Sequence, residues 1–109
     1  MKLITAIIRH EKVEEIKEAL TRIKVTGMTV REVRGHGRQK GHKALYHGAE
    51  YSLTLLPKAM LETVVPDDIA DQVVATIIQS GRTGEIGDGR VFVFPVERSY
   101  NVRTGELDA

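Results

Sequence analysis

Cysteine and tryptophan are both absent from the 109 residues of this chain. Without cysteine there are neither disulfides nor thiolate metal sites, so stability has to come from packing. Aromatics are few, three Tyr and two Phe, and the core is therefore expected to be aliphatic. No apolar run approaches the roughly 20 residues that span a bilayer. The residues after Met1-Lys2 carry no signal-peptide cleavage pattern, which makes a cytoplasmic address the expectation. Charge of one sign is not in excess either: 16 Lys and Arg against 15 Asp and Glu leave a net +1. That balance gives no whole-molecule reason to expect a nucleic acid or an anionic membrane as partner.

What is present is a globular composition, 41% hydrophobic and 28% charged, too apolar for a disordered chain. The length predicts a single domain over residues 1–109. Leu3 to Ile8 is a short Ile-rich apolar run, long enough for one buried strand and too short for a helix. From Glu11 the period changes. Val13, Ile16, Leu20 and Ile23 recur at three and four residues, an amphipathic helix with a Glu18 to Arg22 pair on its polar side. Gly27 offers the turn, and Met28 to Val33 alternates as a second strand.

From Arg34 to Glu50 no hydrophobic period is visible, and a loop is expected there. Tyr51 to Leu56 and Ala59 to Val65 read as strand on either side of Pro57, which suggests an edge or a bulge at that point. Pro66-Asp67-Asp68 is a helix start. Ile69, Val73 and Ile77 with Ala70, Val74 and Ile78 form a broad apolar face, and Gly81 stands where a terminating glycine is expected. Val91 to Phe94 reads as a central strand. The order strand, helix, strand, long loop, strand, helix, strand predicts an α+β fold. Its expected form is a ferredoxin-like split βαβ sandwich, with both helices on one face of a four-stranded antiparallel sheet and the long loop between strands 2 and 3. Met60, Val64, Phe92 and Phe94 are too apolar to leave wet on the other face, so an oligomer is expected to cover it.

Eight of the ten glycines lie in two stretches, Gly35 to Gly48 and Gly81 to Gly89, each interleaved with cations. Glycine lets backbone N–H groups converge on an anion, and arginine offers a planar fork to phosphate oxygens. The plain alternative is turns, with Gly81 as a helix cap and Asp88-Gly89 as a hairpin corner. Residue types alone leave the two readings evenly weighted. Neither stretch is a Walker A or a dinucleotide fingerprint. His36, His42 and His47 lack a carboxylate cluster at metal-ligand spacing and read as solvated loop residues. Asp67 and Asp68 are better explained by the helix dipole than as a catalytic pair. Arg31, Arg34, Arg38, Lys40 and Lys43 make the region around the first loop basic, and an RNA-binding module is carried as a distant alternative. Val91-Phe92-Val93-Phe94 lacks the Gly-Phe context of the RNA readers of this architecture.

Several ordered blocks carry a more specific signal. Gly35-His36-Gly37-Arg38-Gln39-Lys40-Gly41-His42, Tyr46-His47-Gly48-Ala49-Glu50-Tyr51, Val64-Val65-Pro66-Asp67-Asp68 and Thr83-Gly84-Glu85-Ile86-Gly87-Asp88-Gly89-Arg90-Val91-Phe92-Val93 together resemble the PII nitrogen-regulatory signal proteins. The likeness runs from the first strand to Arg103-Thr104-Gly105-Glu106.

The resemblance implies a cytoplasmic homotrimer that binds ATP or ADP in clefts between neighbours. It implies a T-loop near residues 37–55 that contacts nitrogen-metabolism enzymes or an ammonium channel, with recruitment to the membrane in the latter case. Such proteins report a metabolic state and are not enzymes, so no catalytic residue is expected. It further implies a phosphate loop near 82–90 containing Gly87, Asp88, Gly89 and Arg90, the last in place of a more usual Lys. Arg38 and Arg103 match phosphate contacts, Arg103 from the neighbouring subunit and within a C-terminal segment near 99–109. Ile7, Thr29, Gly35, Gly37 and Val64 match positions around adenine and ribose. Gln39 and Lys58 match the residues that hold Mg and 2-oxoglutarate, with Gln39 the metal ligand and Lys58 the partner of a carboxylate. Tyr51 lies in the block uridylylated in many bacterial members. Ala49 replaces a serine phosphorylated in some relatives, and His36 stands where Phe is usual. Asn101 replaces an arginine that reaches the phosphates, a change expected to weaken ATP by roughly 1.5–3 kcal/mol or to shift preference towards ADP or AMP. It also motivates the alternative of a paralogue gated by adenine nucleotides without 2-oxoglutarate sensing.

Overall fold

A computed structural model of the chain describes residues 1–36, 44–46, 49–51 and 55–108, with the backbone alone for 44–46 and 49–51. Strand β1 (Lys2–Ile8) leads through a 3-10 turn at His10–Lys12 into helix α1 (Val13–Arg22). Strand β2 (Thr29–His36) follows, then the short strands β3 (Ala44–Tyr46) and β4 (Ala49–Tyr51), strand β5 (Leu55–Val65), helix α2 (Asp67–Gly81) and strand β6 (Gly89–Pro95). The main sheet has the order β2-β5-β1-β6, antiparallel throughout. β5 lies between β1 and β2, which makes the first β-α-β unit a split one. This is the expected ferredoxin-like arrangement.

Alternation along the strands decides which side chains meet the helices. Ile4, Ala6 and Ile8 of β1 and Ala59, Leu61 and Val65 of β5 are buried against Ile16 and Leu20 of α1 and Ala70, Val73 and Ile77 of α2. The core is aliphatic, as the scarcity of aromatics predicts. The apolar face of α2 is narrower than its sequence suggests, since Ile78 is 44% exposed. Cross-strand partners share a face. Register therefore places Leu3, Thr5 and Ile7, Met60, Glu62 and Val64, and Arg90, Phe92 and Phe94 together on the side away from the core. Val64, Phe92 and Phe94 are exposed there.

Several expectations are corrected. α1 is stopped at Lys24, ahead of the turn expected at Gly27. Lys24 takes φ +72, its N–H donates to Thr21 O at 3.0 Å and that of Val25 donates to Leu20 O at 3.0 Å, a Schellman cap sealed by burial of Val25. Gly27 instead presents its carbonyl to Thr63 Oγ1 at 2.6 Å. The polar side of α1 carries Lys12–Glu15 and Lys17–Glu14 pairs rather than Glu18–Arg22. β2 runs on to His36, and β3 and β4 form a small antiparallel pair inside the expected loop. Strand pairing there is made by the backbone and needs no hydrophobic period. Pro57, by contrast, stands at an edge as expected: β1 ends at Ile8 opposite Ala59, so β2 alone flanks β5 there, and the strand continues through the proline without a break. Val91 to Phe94 belongs to an edge strand, not a central one. Its apolar composition reflects two half-covered faces.

Gly81 is the last residue of α2 and not a left-handed cap, since the chain leaves through an extended Arg82 at φ −78. The reason for glycine is space. A Cβ at Gly81 would lie 2.9 Å from Ile16 Cδ1, where the two helices touch. Gly81→Ala is expected to be tolerated, because the Ile16 terminus can shift and alanine favours the helix. Gly81→Leu should destabilise by about 2 kcal/mol through overpacking. Urea unfolding of the two variants tests the difference, and equal midpoints would show that the helices are not in tight contact.

Candidate functional site

Between α2 and β6 the chain makes a loop that is held from three directions. Asp88 turns its carboxylate back into the loop and accepts hydrogen bonds from the backbone N–H of Thr83 at 2.9 Å and of Gly84 at 2.8 Å, as well as from the Thr83 hydroxyl. Arg9, the first residue beyond β1, donates Nε to Asp88 at 2.9 Å and a second guanidinium nitrogen to Ile86 O at 3.0 Å. Lys58 of β5 reaches across and donates Nζ to Gly87 O at 2.6 Å. Burial alone would raise the Asp88 pKa. The bonds from Thr83, Arg9 and Gly84 outweigh it and hold the carboxyl far below the usual range. Lys58 is shifted down, first by burial and then by the Arg9 guanidinium, with Glu11 and Asp88 acting in the opposite direction.

Under this loop lies a cavity of about 510 Å³ on the open side of the sheet, lined by Ile7, Gly35, Lys58, Gly87, Gly89, Arg90 and Phe92, together with His36, Leu56 and Ile86. Gly89 is fixed by contact: at φ +109 its Cβ position lies 1.8 Å from Ile7 O, so no side chain fits. The Arg90 guanidinium has no hydrogen-bonding or ionic partner among the described residues. Backbone amides exposed by glycine, one ammonium and one unpaired guanidinium around a cavity of this size suit a polyanion. The hairpin-corner reading of Asp88-Gly89 is set aside, because the element before the loop is helix α2 and β6 pairs with the distant β1.

The remaining expected residues lie elsewhere. Thr29 and Val64 line a separate hollow of about 350 Å³ with Leu3, Met28 and Glu62. It sits at the opposite end of the sheet, since Leu3 pairs with Val64 whereas Ile7 pairs with Met60. Asn101 and Arg103 are in an exposed C-terminal hairpin bridged by Tyr100 and Leu107. Gly37, Arg38 and Gln39 lie outside the described residues, and Tyr51 is described only as backbone of β4. Arg9, Thr83 and Glu62 are the residues that reading the sequence missed. Arg9 had one available signal, a cation directly after a buried strand. Glu62 accepts from Thr5 Oγ1 at 3.1 Å, a pairing that only register reveals.

The P-II family, described as Nitrogen regulatory protein P-II, matches residues 1–106. The chain belongs to that family. It is 56% identical over 108 residues to Nitrogen regulatory protein P-II 1 of Escherichia coli K12, covering 99% of this chain and 96% of the relative. It is similar at 56% over 108 residues, with the same shares, to Nitrogen regulatory protein P-II of Klebsiella oxytoca. Identity is 53% over 106 residues to the protein of that description from Haemophilus influenzae, 97% and 95% covered. The resemblance drawn from the glycine-loop blocks is thus established, and the P-II chain is a nitrogen-regulatory signal protein. Among its described residues no helix is long and apolar enough to cross a membrane.

Proposed function

We propose that this P-II chain binds ATP or ADP in the cavity beneath the loop at residues 82–90 and that the nucleotide is completed by a neighbouring copy in a homotrimer. The observation that carries the reading is the division of the expected binding residues. Ile7, Gly35, Gly87, Gly89 and Arg90 face one hollow, Thr29 and Val64 another at the far end of the same sheet, and Arg103 a third place on an exposed arm. One chain cannot wrap a nucleotide with residues so placed, whereas copies packed through the apolar open face around Phe92 and Phe94 can. The donor set fits the ligand. Arg90 and the loop amides meet the phosphates, Asp88 keeps the loop in shape, and Mg enters with ATP, with Gln39 its expected protein ligand.

The nucleotide acts here as a ligand and not as a substrate. Its presence, with 2-oxoglutarate held by Gln39 and Lys58, sets the conformation of the segment near 37–55, which carries Tyr51 and engages nitrogen-metabolism enzymes or an ammonium channel. The protein works in the cytoplasm, and a channel partner would bring it to the membrane. A second reading, gating by adenine nucleotides without 2-oxoglutarate, is favoured by one observation: the Lys58 ammonium already donates to Gly87 O at 2.6 Å. Calorimetry with ATP and ADP, with and without Mg and 2-oxoglutarate, on protein whose mass in solution is measured by light scattering tests both. Trimers whose ATP affinity rises with 2-oxoglutarate are expected. Affinity indifferent to 2-oxoglutarate selects the second reading, and a monomer that binds no adenine nucleotide removes both.

A further inference from the structure

Residues 99–108 form a hairpin that no buried contact supports: Tyr100 to Asp108 are all exposed, and Val102 at the tip is 100% exposed. Its order rests on local bonds. Asn101 N–H donates to Glu106 O at 2.8 Å, Gly105 N–H donates to Asn101 O at 2.7 Å, and Asp108 N–H donates to Ser99 O at 2.7 Å. Ser99 Oγ closes the base on Asp108 Oδ2 at 2.6 Å. Gly105, at φ +73, turns the chain back.

The centre of this arrangement is the Asn101 side chain. Its Oδ1 accepts the backbone N–H of Arg103 at 2.9 Å and of Thr104 at 3.2 Å. That is the geometry of a helix N-cap applied to a single turn, and asparagine is among the best capping residues. Arginine or alanine at 101 would offer no such acceptor and would leave two N–H groups to water. The Arg103 guanidinium, on the turn so fixed, has no partner among the described residues. A cation on an exposed, internally bonded arm is arranged to meet something outside its own chain.

From this we infer that Asn101 is a positioning residue for Arg103. It holds the arm in its binding shape before contact, so that Arg103 meets the phosphates on a neighbouring copy without first paying for order in the turn. The inference rests on the nucleotide reading above and revises one part of it: Asn101 acts through Arg103 rather than by touching the nucleotide. Its acceptor atom is already used twice, and it carries no charge to give a phosphate.

The test is a double-mutant cycle read by calorimetry with ADP and ATP on the full-length protein, using Asn101→Ala, Asn101→Ser, Arg103→Ala and the Asn101→Ala/Arg103→Ala pair. Asn101→Ala is expected to weaken nucleotide binding about fivefold, the affinity equivalent of one lost cap. Asn101→Ser, a neutral cap, should stay within about twofold of the parent. Arg103→Ala should cost about tenfold or more. In the Arg103→Ala background the alanine at 101 should cost nothing further, a result that a general loss of stability does not produce. The inference is overturned by an unchanged Asn101→Ala, by a serine that fails to rescue, or by equal losses in both backgrounds. Failure of the parent protein to bind either nucleotide is a separate outcome, which removes the functional reading together with this extension of it.

Discussion

Gly89→Ala should destabilise the protein by about 3 kcal/mol or more, because two penalties coincide at one atom. The backbone there sits at φ +109, and the new Cβ would lie 1.8 Å from Ile7 O, 2.8 Å from Ile7 C and 3.3 Å from Ile8 Cα. All three are backbone atoms of a strand paired on both sides, so none can step away as a flexible side chain would. Relief requires β6 to part from β1 at the Ile8–Gly89 and Ile7–Arg90 pairs, which carries Arg90 away from the cavity. Denaturant unfolding and ADP titration should therefore fail together. Gly27→Ala, with open space around its Cβ position, is the control and should differ little from the parent. A Gly89→Ala protein with parental stability would refute the contact that fixes the loop.

Asp88→Ala is expected to cost about 3 kcal/mol, since it leaves Arg9, the Thr83 hydroxyl and two backbone N–H groups without the charge they share. The pH dependence has a definite sign. The folded-state pKa of Asp88 lies below its ordinary value of 3.8. Its contribution is therefore complete above that value, and it is lost as pH falls towards the folded pKa. Acid unfolding of the parent should steepen below about pH 4, and Asp88→Asn should flatten that part of the curve while lowering stability at neutral pH. If the variant and the parent lose stability in parallel from neutral to acid pH, the carboxylate is not the anchor of the loop. Nucleotide binding should weaken in both variants, because the amides of residues 87–90 lose their common frame.

These two positions also show how the sequence speaks and where it stops. The Gly87-Asp88-Gly89-Arg90 block is visible as residue types, yet types alone left a turn and a phosphate cradle equally weighted. What gives the loop its shape is contact between Gly89 and Ile7 and between Asp88 and Arg9, residues about eighty positions apart in the chain. Ile16, Leu20, Val73 and Ile77 were legible because helix period and burial coincide, as was the start of α2 at Pro66. At Gly81 the end of α2 was legible, but the reason for glycine was not. A helix terminus and a helix crossing both select glycine, and no local pattern distinguishes them. Lys24 was missed as the stop of α1 because a Schellman cap is chosen by the burial of Val25 as much as by the residue that turns.

By itself the sequence determined the fold class and the aliphatic core, which follow from periodicity and composition, and membership of the P-II family, which follows from the likeness of its ordered blocks to known members. The tertiary structure alone decided that Arg9, Lys58 and Asp88 hold one loop, that the expected nucleotide residues fall into three separate places, and that Asn101 caps the turn bearing Arg103. The first two depend on strand register and on distances between remote segments, and register is an energy minimum of the whole sheet that no single stretch of residues contains; the third is local, but an asparagine side chain has several backbone partners within reach and only the folded arm selects among them.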